Sequence, residues 1–196
     1  MNIGTKSILF GVHQFLIHPW FVALAWWKLY GFPCDIPLWA SFFVHDIGYY
    51  GKPNLDGEEG ETHPELGAKI MNKLFDSARN PYGGRYWYFL CLLHSRFYSK
   101  KLGVPFSRLC VADKLAVYLT PRWLYLIQAN LTGEIKEYMQ GKNARTPSRN
   151  KSQWEWITDV QEYCKAWALE HKDGKIDEWT GTKRDLIITE SDKGAK

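Results

Sequence analysis

Apolar residues recur along this chain in blocks at helical spacing, separated by short polar or Gly- and Pro-containing breaks, and no stretch shows convincing strand alternation. Ile8 to Ile17 reads as a first short helix. His18-Pro19 marks a new start, because Pro is tolerated at the first helical position, and Trp20 to Tyr30 continues as an almost wholly apolar helix expected to be buried on most sides. Gly31-Phe32-Pro33 ends it, and Pro37 to Val44 is a third helix that delivers His45-Asp46 at its end. Asn54 to Gly60 is an acidic, Gly-containing loop. Thr62-His63-Pro64-Glu65 has the form of a capping box and opens a helix to about Phe75, with Leu66, Ile70 and Leu74 on one face.

After a turn at Asn80 to Gly84, the apolar run Tyr86 to Leu93 ends in His94-Ser95-Arg96, and Gly103-Val104-Pro105 restarts the chain. Phe106 to Leu119 is a helix that carries Asp113 inside the apolar stretch LCVADKLAVYL. Pro121 to Ala129, Gly133 to Met139 and Gln153 to His171 read as further helices, with a polar linker at Thr146 to Lys151. The pattern predicts an all-α fold: one helical domain over residues 1–172, then a charged, thinly apolar tail over 173–196. There is no internal repeat, Gly-rich phosphate loop or GxSxG elbow.

Composition adds three points. The 196 residues suffice for one sizeable core, and ten Trp supply more aromatic surface than a core of this size needs, enough to wall a pocket. Cysteines at 34, 91, 110 and 164 form no CxxC, and no secretory signal is visible, so they read as free thiols in a reducing, cytoplasmic setting. The net charge of +4 does not argue for nucleic acid, and no nucleic-acid motif is present. The charge is uneven, however. Arg96 to Lys151 holds eleven bases against three acids, whereas Asp56 to Glu65 holds five acids and no base. A basic rim that draws in phosphate is one reading of the first segment, and a solvated face is the plainer one. Ser7 to Trp27 carries no formal charge and is long enough to span a bilayer, but His13, Gln14, His18 and Pro19 lie inside it. Two buried helices meeting near His18 are the favoured reading, and membrane contact is the minor one.

The chemistry is concentrated in polar residues set on, or at the ends of, apolar segments: His18, His45-Asp46, His63, His94 and Asp113. A carboxylate at the end of an apolar run is costly unless it is paired or bound to metal. Four imidazoles and two carboxylates suit Mn, Fe, Co, Ni or Zn better than purely oxygen-bound Mg, although Mg is compatible. His13 reads as a satisfied core residue and His171 as a solvated helix end.

In this order, the set resembles the HD-domain superfamily of metal-dependent phosphohydrolases. "VHDIGYYGKP" is similar to the family's His-Asp core, "HPELGAKI" to the second-metal segment of the HD-GYP branch, and "LLHSRFYSKKLGVPFSRLCVADKLA" to that branch's later His and final Asp, together covering about residues 18 to 119. The resemblance implies a helical bundle. It implies that His18, His45, Asp46 and Asp113 hold a first metal, and that His63 and His94 hold a second, with Asp46 bridging. The chain departs from HD-GYP in having His94-Ser95-Arg96 for His-His-Glu, Gly103-Val104-Pro105 for Gly-Tyr-Pro, and Tyr49 where a Lys usually follows the His-Asp motif, with Lys52 three residues later. Cyclic-di-GMP hydrolysis and a third metal are therefore not implied. The expected activity is hydrolysis of a phosphate ester or anhydride, by default of a nucleotide, with Asp46, Lys52 and Arg96 in catalytic roles. Lys52, Arg96, Lys100, Lys101 and Arg108 are the candidate phosphate holders. Tyr49, Tyr50 or Tyr98 are candidates to stack on a base, with packing as the plainer role for each. The alternatives are a di-iron oxygenase of the same superfamily and a non-catalytic metal- or nucleotide-binding module. The residues leave oligomeric state open.

Overall fold

The computed structural model describes residues 1–76, 84–140 and 151–174. The tail after residue 174, most of the Asn80 to Gly84 turn and most of the Thr146 to Lys151 linker lie outside them. The described residues form ten α-helices and no strand, so the fold is all-α. They are α1 (Ile3–Phe10), α2 (His18–Tyr30), α3 (Ile36–Val44), α4 (Pro64–Phe75), α5 (Tyr86–Leu92), α6 (Arg96–Leu102), α7 (Arg108–Leu119), α8 (Arg122–Thr132), α9 (Glu134–Gln140) and α10 (Gln153–His171). Short 3-10 turns at Ile47–Tyr49 and Gly60–Thr62 frame the loop between α3 and α4.

Helix α7 is the central strut. Its Leu109, Cys110, Val111, Ala112, Leu115 and Ala116 are buried, and it packs against α2 on one side and α10 on the other. Burying a leucine such as Leu109 contributes about 1.5–3 kcal/mol. Helices α3, α4 and α5 pack on one another and share this core through Phe42, Ala68, Met71 and Leu90. A smaller cluster on α8, α9 and α10 contains Tyr125, Ala129, Ile135, Trp156 and Ile157.

Several expectations change. The first helix runs over Ile3–Phe10 rather than Ile8 to Ile17, because Gly4 docks its N–H on the Lys52 carbonyl and the chain turns after Phe10. An uncharged stretch offers no polar period to locate that boundary. Helix α2 buries Val22, Ala23, Ala25 and Trp26 but exposes Trp20, Leu24 and Trp27, so it is half-covered rather than buried on most sides. The Thr62 capping box does not form. His63 is already helical, Thr62 donates to the Glu59 carbonyl, and Glu65 accepts from Tyr98. A capping box forms instead between Ser152 and Glu155 at the start of α10. Helix α6, capped by the Ser95 hydroxyl and closed by Gly103 at φ +64°, falls in a segment to which the apolar pattern assigns no element. His171 is buried, not solvated: its Nδ1–H donates to the Trp167 carbonyl and its ring stacks on Trp167. No helix among the described residues is long and apolar enough to cross a membrane.

Two glycines set the distance between α3, its following loop and α4. A Cβ on Gly67 would lie 2.4 Å from the Val44 carbonyl oxygen, and one on Gly48 would lie 1.9 Å from the His63 carbonyl oxygen. Gly67→Ala is expected to push α4 off the end of α3 at a cost of about 1–3 kcal/mol, as overpacking does. In a circular-dichroism melt its midpoint should fall by several degrees, whereas Lys69→Ala, on the exposed side of the same helix, should leave the midpoint nearly unchanged. Equal midpoints for both variants would refute the close-contact reading.

Candidate metal centre

Five segments contribute side chains to one place. His18 is the first residue of α2, His45 and Asp46 follow the last turn of α3, His63 directly precedes α4, His94 follows α5, and Asp113 lies midway along α7. The four histidines and Asp46 are buried, and the Asp113 side chain is largely so. The two oxygens of Asp46 divide the cluster. Its Oδ2 lies 3.5 Å from His18 Nε2 and 3.1 Å from His45 Nε2. Its Oδ1 lies 3.4 Å from His63 Nε2 and 3.3 Å from His94 Nε2. Asp113 Oδ1 closes the first group, 3.0 Å from His18 Nε2 and 3.8 Å from His45 Nε2.

Three of the rings are oriented by one local device. His45 Nδ1 lies 2.9 Å from the Phe42 carbonyl, His63 Nδ1 2.7 Å from that of Gly60, and His94 Nδ1 2.5 Å from that of Cys91. Each ring folds back on the carbonyl three residues earlier, at the end of a helical turn. A carbonyl only accepts, so each Nδ1 carries the proton, and in the neutral ring Nε2 presents a lone pair to the cluster. Tyr49 stacks on His63 at 3.9 Å and holds that ring in place.

This arrangement fits metal ions. His63 Nε2 and His94 Nε2 lie 3.0 Å apart, and two lone pairs at that distance require a cation or a proton between them. His45 Nε2 and Asp46 Oδ2 are buried and, though 3.1 Å apart, make no well-aligned hydrogen bond, a costly state that a cation relieves. Donors that each sit about 2.1 Å from a shared ion are about 3–3.5 Å from one another, close to the spacing found. His18, His45, Asp46 and Asp113 form one group that could hold an ion, and Asp46, His63 and His94 form a second. Mixed imidazole and carboxylate donors suit a divalent transition metal.

The electrostatics are those of a cluster arranged around positive charge. Burial favours the neutral forms of Asp46 and Asp113, but neighbouring groups overcome it and hold both well below the usual carboxylate range: the His45 charge and histidine hydrogen bonds for Asp46, Lys114 and His18 for Asp113. Burial opposes a charge on His45 too, yet Asp46 and Asp113 raise it to about 10. His94 is pushed down to about 4, chiefly by burial.

The cluster opens into a cavity of about 540 Å³, the size of a small-molecule site. Of the expected phosphate holders, Arg96 and Lys100 line it. Arg96 is buried, donates to the Tyr163 hydroxyl at 3.2 Å and lies over the Trp167 ring, whereas Lys100 is exposed. The others point elsewhere. Lys52 donates to the Thr62 hydroxyl, Lys101 lies over Phe97 and Tyr98, Arg108 lies over Tyr30, and Tyr98 donates to Glu65. None of these four lines the cavity. Tyr49 reaches it but is stacked on His63, and Tyr50 is exposed and away from it.

One lining residue went unread, and another was read only as a satisfied core residue. Lys114 lies 3.3 Å from Asp113 Oδ2, and its signal was a second charge inside the apolar run of α7. His13, hydrogen-bonded to the Ser7 hydroxyl and packed on Tyr49, faces the cavity rather than the core.

The raised pKa of His45 has a measurable consequence. A group raised to about 10 is protonated at pH 8, and a metal ligand must be neutral, so loading the site should expel a proton. Calorimetric titration with Mn at pH 8, in buffers of different ionisation enthalpy, should report release of about one proton per protein. His45→Gln should abolish the release. Proton-neutral binding by the wild type would show that His45 is already neutral.

No family model, no curated protein and no solved structure matches this chain significantly.

Proposed function

We propose that the protein is a metal-dependent phosphohydrolase that cleaves a phosphate ester or anhydride. The observation that carries this reading is Asp46, one buried carboxylate that offers one oxygen to His18 and His45 and the other to His63 and His94. His18, His45, Asp46 and Asp113 would hold one ion, and Asp46, His63 and His94 a second. When bound, such ions supply Lewis-acid polarisation of a phosphoryl oxygen and an activated water. The ordered motif supports the same reading through its resemblance to HD-domain phosphohydrolases, and a nucleotide is the substrate class that resemblance suggests.

The remaining work falls to residues of the chain. Arg96 is held by Tyr163 on one side and by the Trp167 face on the other, so its guanidinium is positioned beside the cavity before substrate arrives. Lys114 sits on α7 against the outer oxygen of Asp113, which keeps an ammonium at the cavity wall. Lys100 adds a third cation from the exposed end of α6. Together they favour entry of a phosphate dianion and offset charge that builds on its oxygens. Tyr49 and the aromatic walls limit water around the bound group. These cations favour phosphate over the di-iron oxygenase alternative, which has no need of them.

Asp46→Ala should keep its helical circular-dichroism spectrum, because Phe42 and its neighbours hold α3 by burial. It should lose bound metal, measured by elemental analysis. Turnover of a panel of phosphomonoesters, phosphodiesters and nucleotides, with Mn supplied, should fall by more than the roughly 10–100-fold cost of losing an outer hydrogen-bonding partner. Wild-type turnover in this variant would overturn the mechanism. Wild-type protein that binds metal, takes up oxygen and leaves every phosphate substrate intact would favour the oxygenase.

A further inference from the structure

Helix α2 wears its surface inside out. Its exposed residues are Trp20, Leu24, Trp27 and Lys28, while Val22, Ala23, Ala25 and Trp26 are buried on the other side. A surface helix usually turns polar side chains to water, and here Lys28 is the one polar residue among the exposed four. The apolar line continues past both ends of the helix. Leu16 precedes Trp20 by one turn, in a segment where the His18 N–H already bonds the Gln14 carbonyl, and it is 58 % exposed. Phe32 is 61 % exposed and packs its ring on Trp27 at 5.7 Å. Leu16, Trp20, Leu24 and Trp27 are three or four residues apart, so they form one ridge. Trp20 rests edge-on against Trp39 and Phe43 of α3, which fixes its ring while leaving it 58 % exposed. A continuous apolar face of this kind marks an interaction surface.

Charge selects the occupant. Residues 1–34 contain Lys6 and Lys28 and no Asp or Glu. At the C-terminal end of α2, Arg108 lies over Tyr30, and the Tyr30 hydroxyl donates to the carbonyl of Lys172, so two further exposed cations join Lys28 there. The acids at that end are Asp35 and Asp173. Pairing two copies through this face would set one acid-free ridge against another and bring Lys28 no carboxylate from it. A bilayer surface containing anionic lipid supplies what the ridge lacks: hydrocarbon for the leucines, the interfacial layer in which indoles settle, and negative charge for Lys28. Helix α8 carries a second exposed apolar line, Trp123, Ile127 and Leu131, but Asn130 ties it to Gln153 at the start of α10, whose first turn holds Glu155. An anionic surface is not drawn to that face. We propose that the protein docks on an anionic membrane surface through the α2 ridge, lying on the bilayer and not crossing it. The proposal does not depend on the phosphohydrolase reading.

The test is flotation of the full chain with vesicles of phosphatidylcholine alone and of phosphatidylcholine mixed with phosphatidylglycerol. The wild type should float with the mixed vesicles and bind the neutral ones more weakly, and added salt should narrow the gap. Replacing both tryptophans, Trp20→Gln with Trp27→Gln, should weaken binding to the mixed vesicles at least about tenfold. Lys28→Gln should weaken it about fivefold there and leave the neutral vesicles unaffected, as the loss of one surface cation does. Trp123→Gln removes an equally exposed indole from α8 and should bind within about twofold of the wild type. Should the double tryptophan variant fail to fold, Leu16→Gln with Leu24→Gln takes its place, since neither leucine supports another ring. Failure of the wild type to float with the mixed vesicles overturns the proposal. So does wild-type binding by the ridge variants, or an equal loss in Trp123→Gln, which would mean general stickiness. A dimer in light scattering that the ridge variants convert to monomer, with no vesicle binding, overturns it in favour of a second copy. Phosphatase turnover with or without these outcomes bears only on the hydrolase reading.

Discussion

The structure turns on one buried carboxylate. Asp46 cannot remain ionised in an apolar setting without compensation, and the chain surrounds it with four imidazoles, two for each oxygen. That arrangement is costly in turn, because several buried nitrogen lone pairs then converge. His63 and His94 meet nitrogen to nitrogen, and His45 Nε2 makes no well-aligned hydrogen bond. Positive charge at the centre relieves both costs, which is why a metal reading follows from the energetics of the cluster and not only from its composition.

Much of the fold serves this convergence. The α2–α7 contact brings His18 against Asp113, and the α3–α4–α5 packing brings His45, Asp46, His63 and His94 together. The approach depends on missing side chains: Gly67 lets α4 touch the last carbonyl of α3, and Gly48 lets the loop after Asp46 touch the carbonyl of His63. The backbone then directs the rings. In three of the four histidines the carbonyl three residues earlier accepts a hydrogen bond from Nδ1–H, so helix ends do the orienting that an outer carboxylate does in known metal sites.

Beside the cluster, the cavity joins two kinds of wall. Cations on α6 and α7 line one part of it, and aromatic rings on α8, α9 and α10 line another.

The helical class and the identity of the clustered residues were legible in the sequence. Helical periodicity is a local property, and a charged or imidazole side chain inside an apolar run stands out without knowledge of its neighbours. The ordered set of His18, His45-Asp46, His63, His94 and Asp113 could therefore be picked out before any of it was seen to meet. Directions and distances could not. The chain's cations look alike in sequence, yet Arg96 and Lys114 reach the cavity while Arg108 lies over Tyr30 and Lys52 is engaged by Thr62. His171 sits among charges in sequence and is buried only because α10 turns it onto Trp167. The division of the two Asp46 oxygens between pairs of histidines depends on how helices distant in sequence pack, and only the tertiary structure decides that.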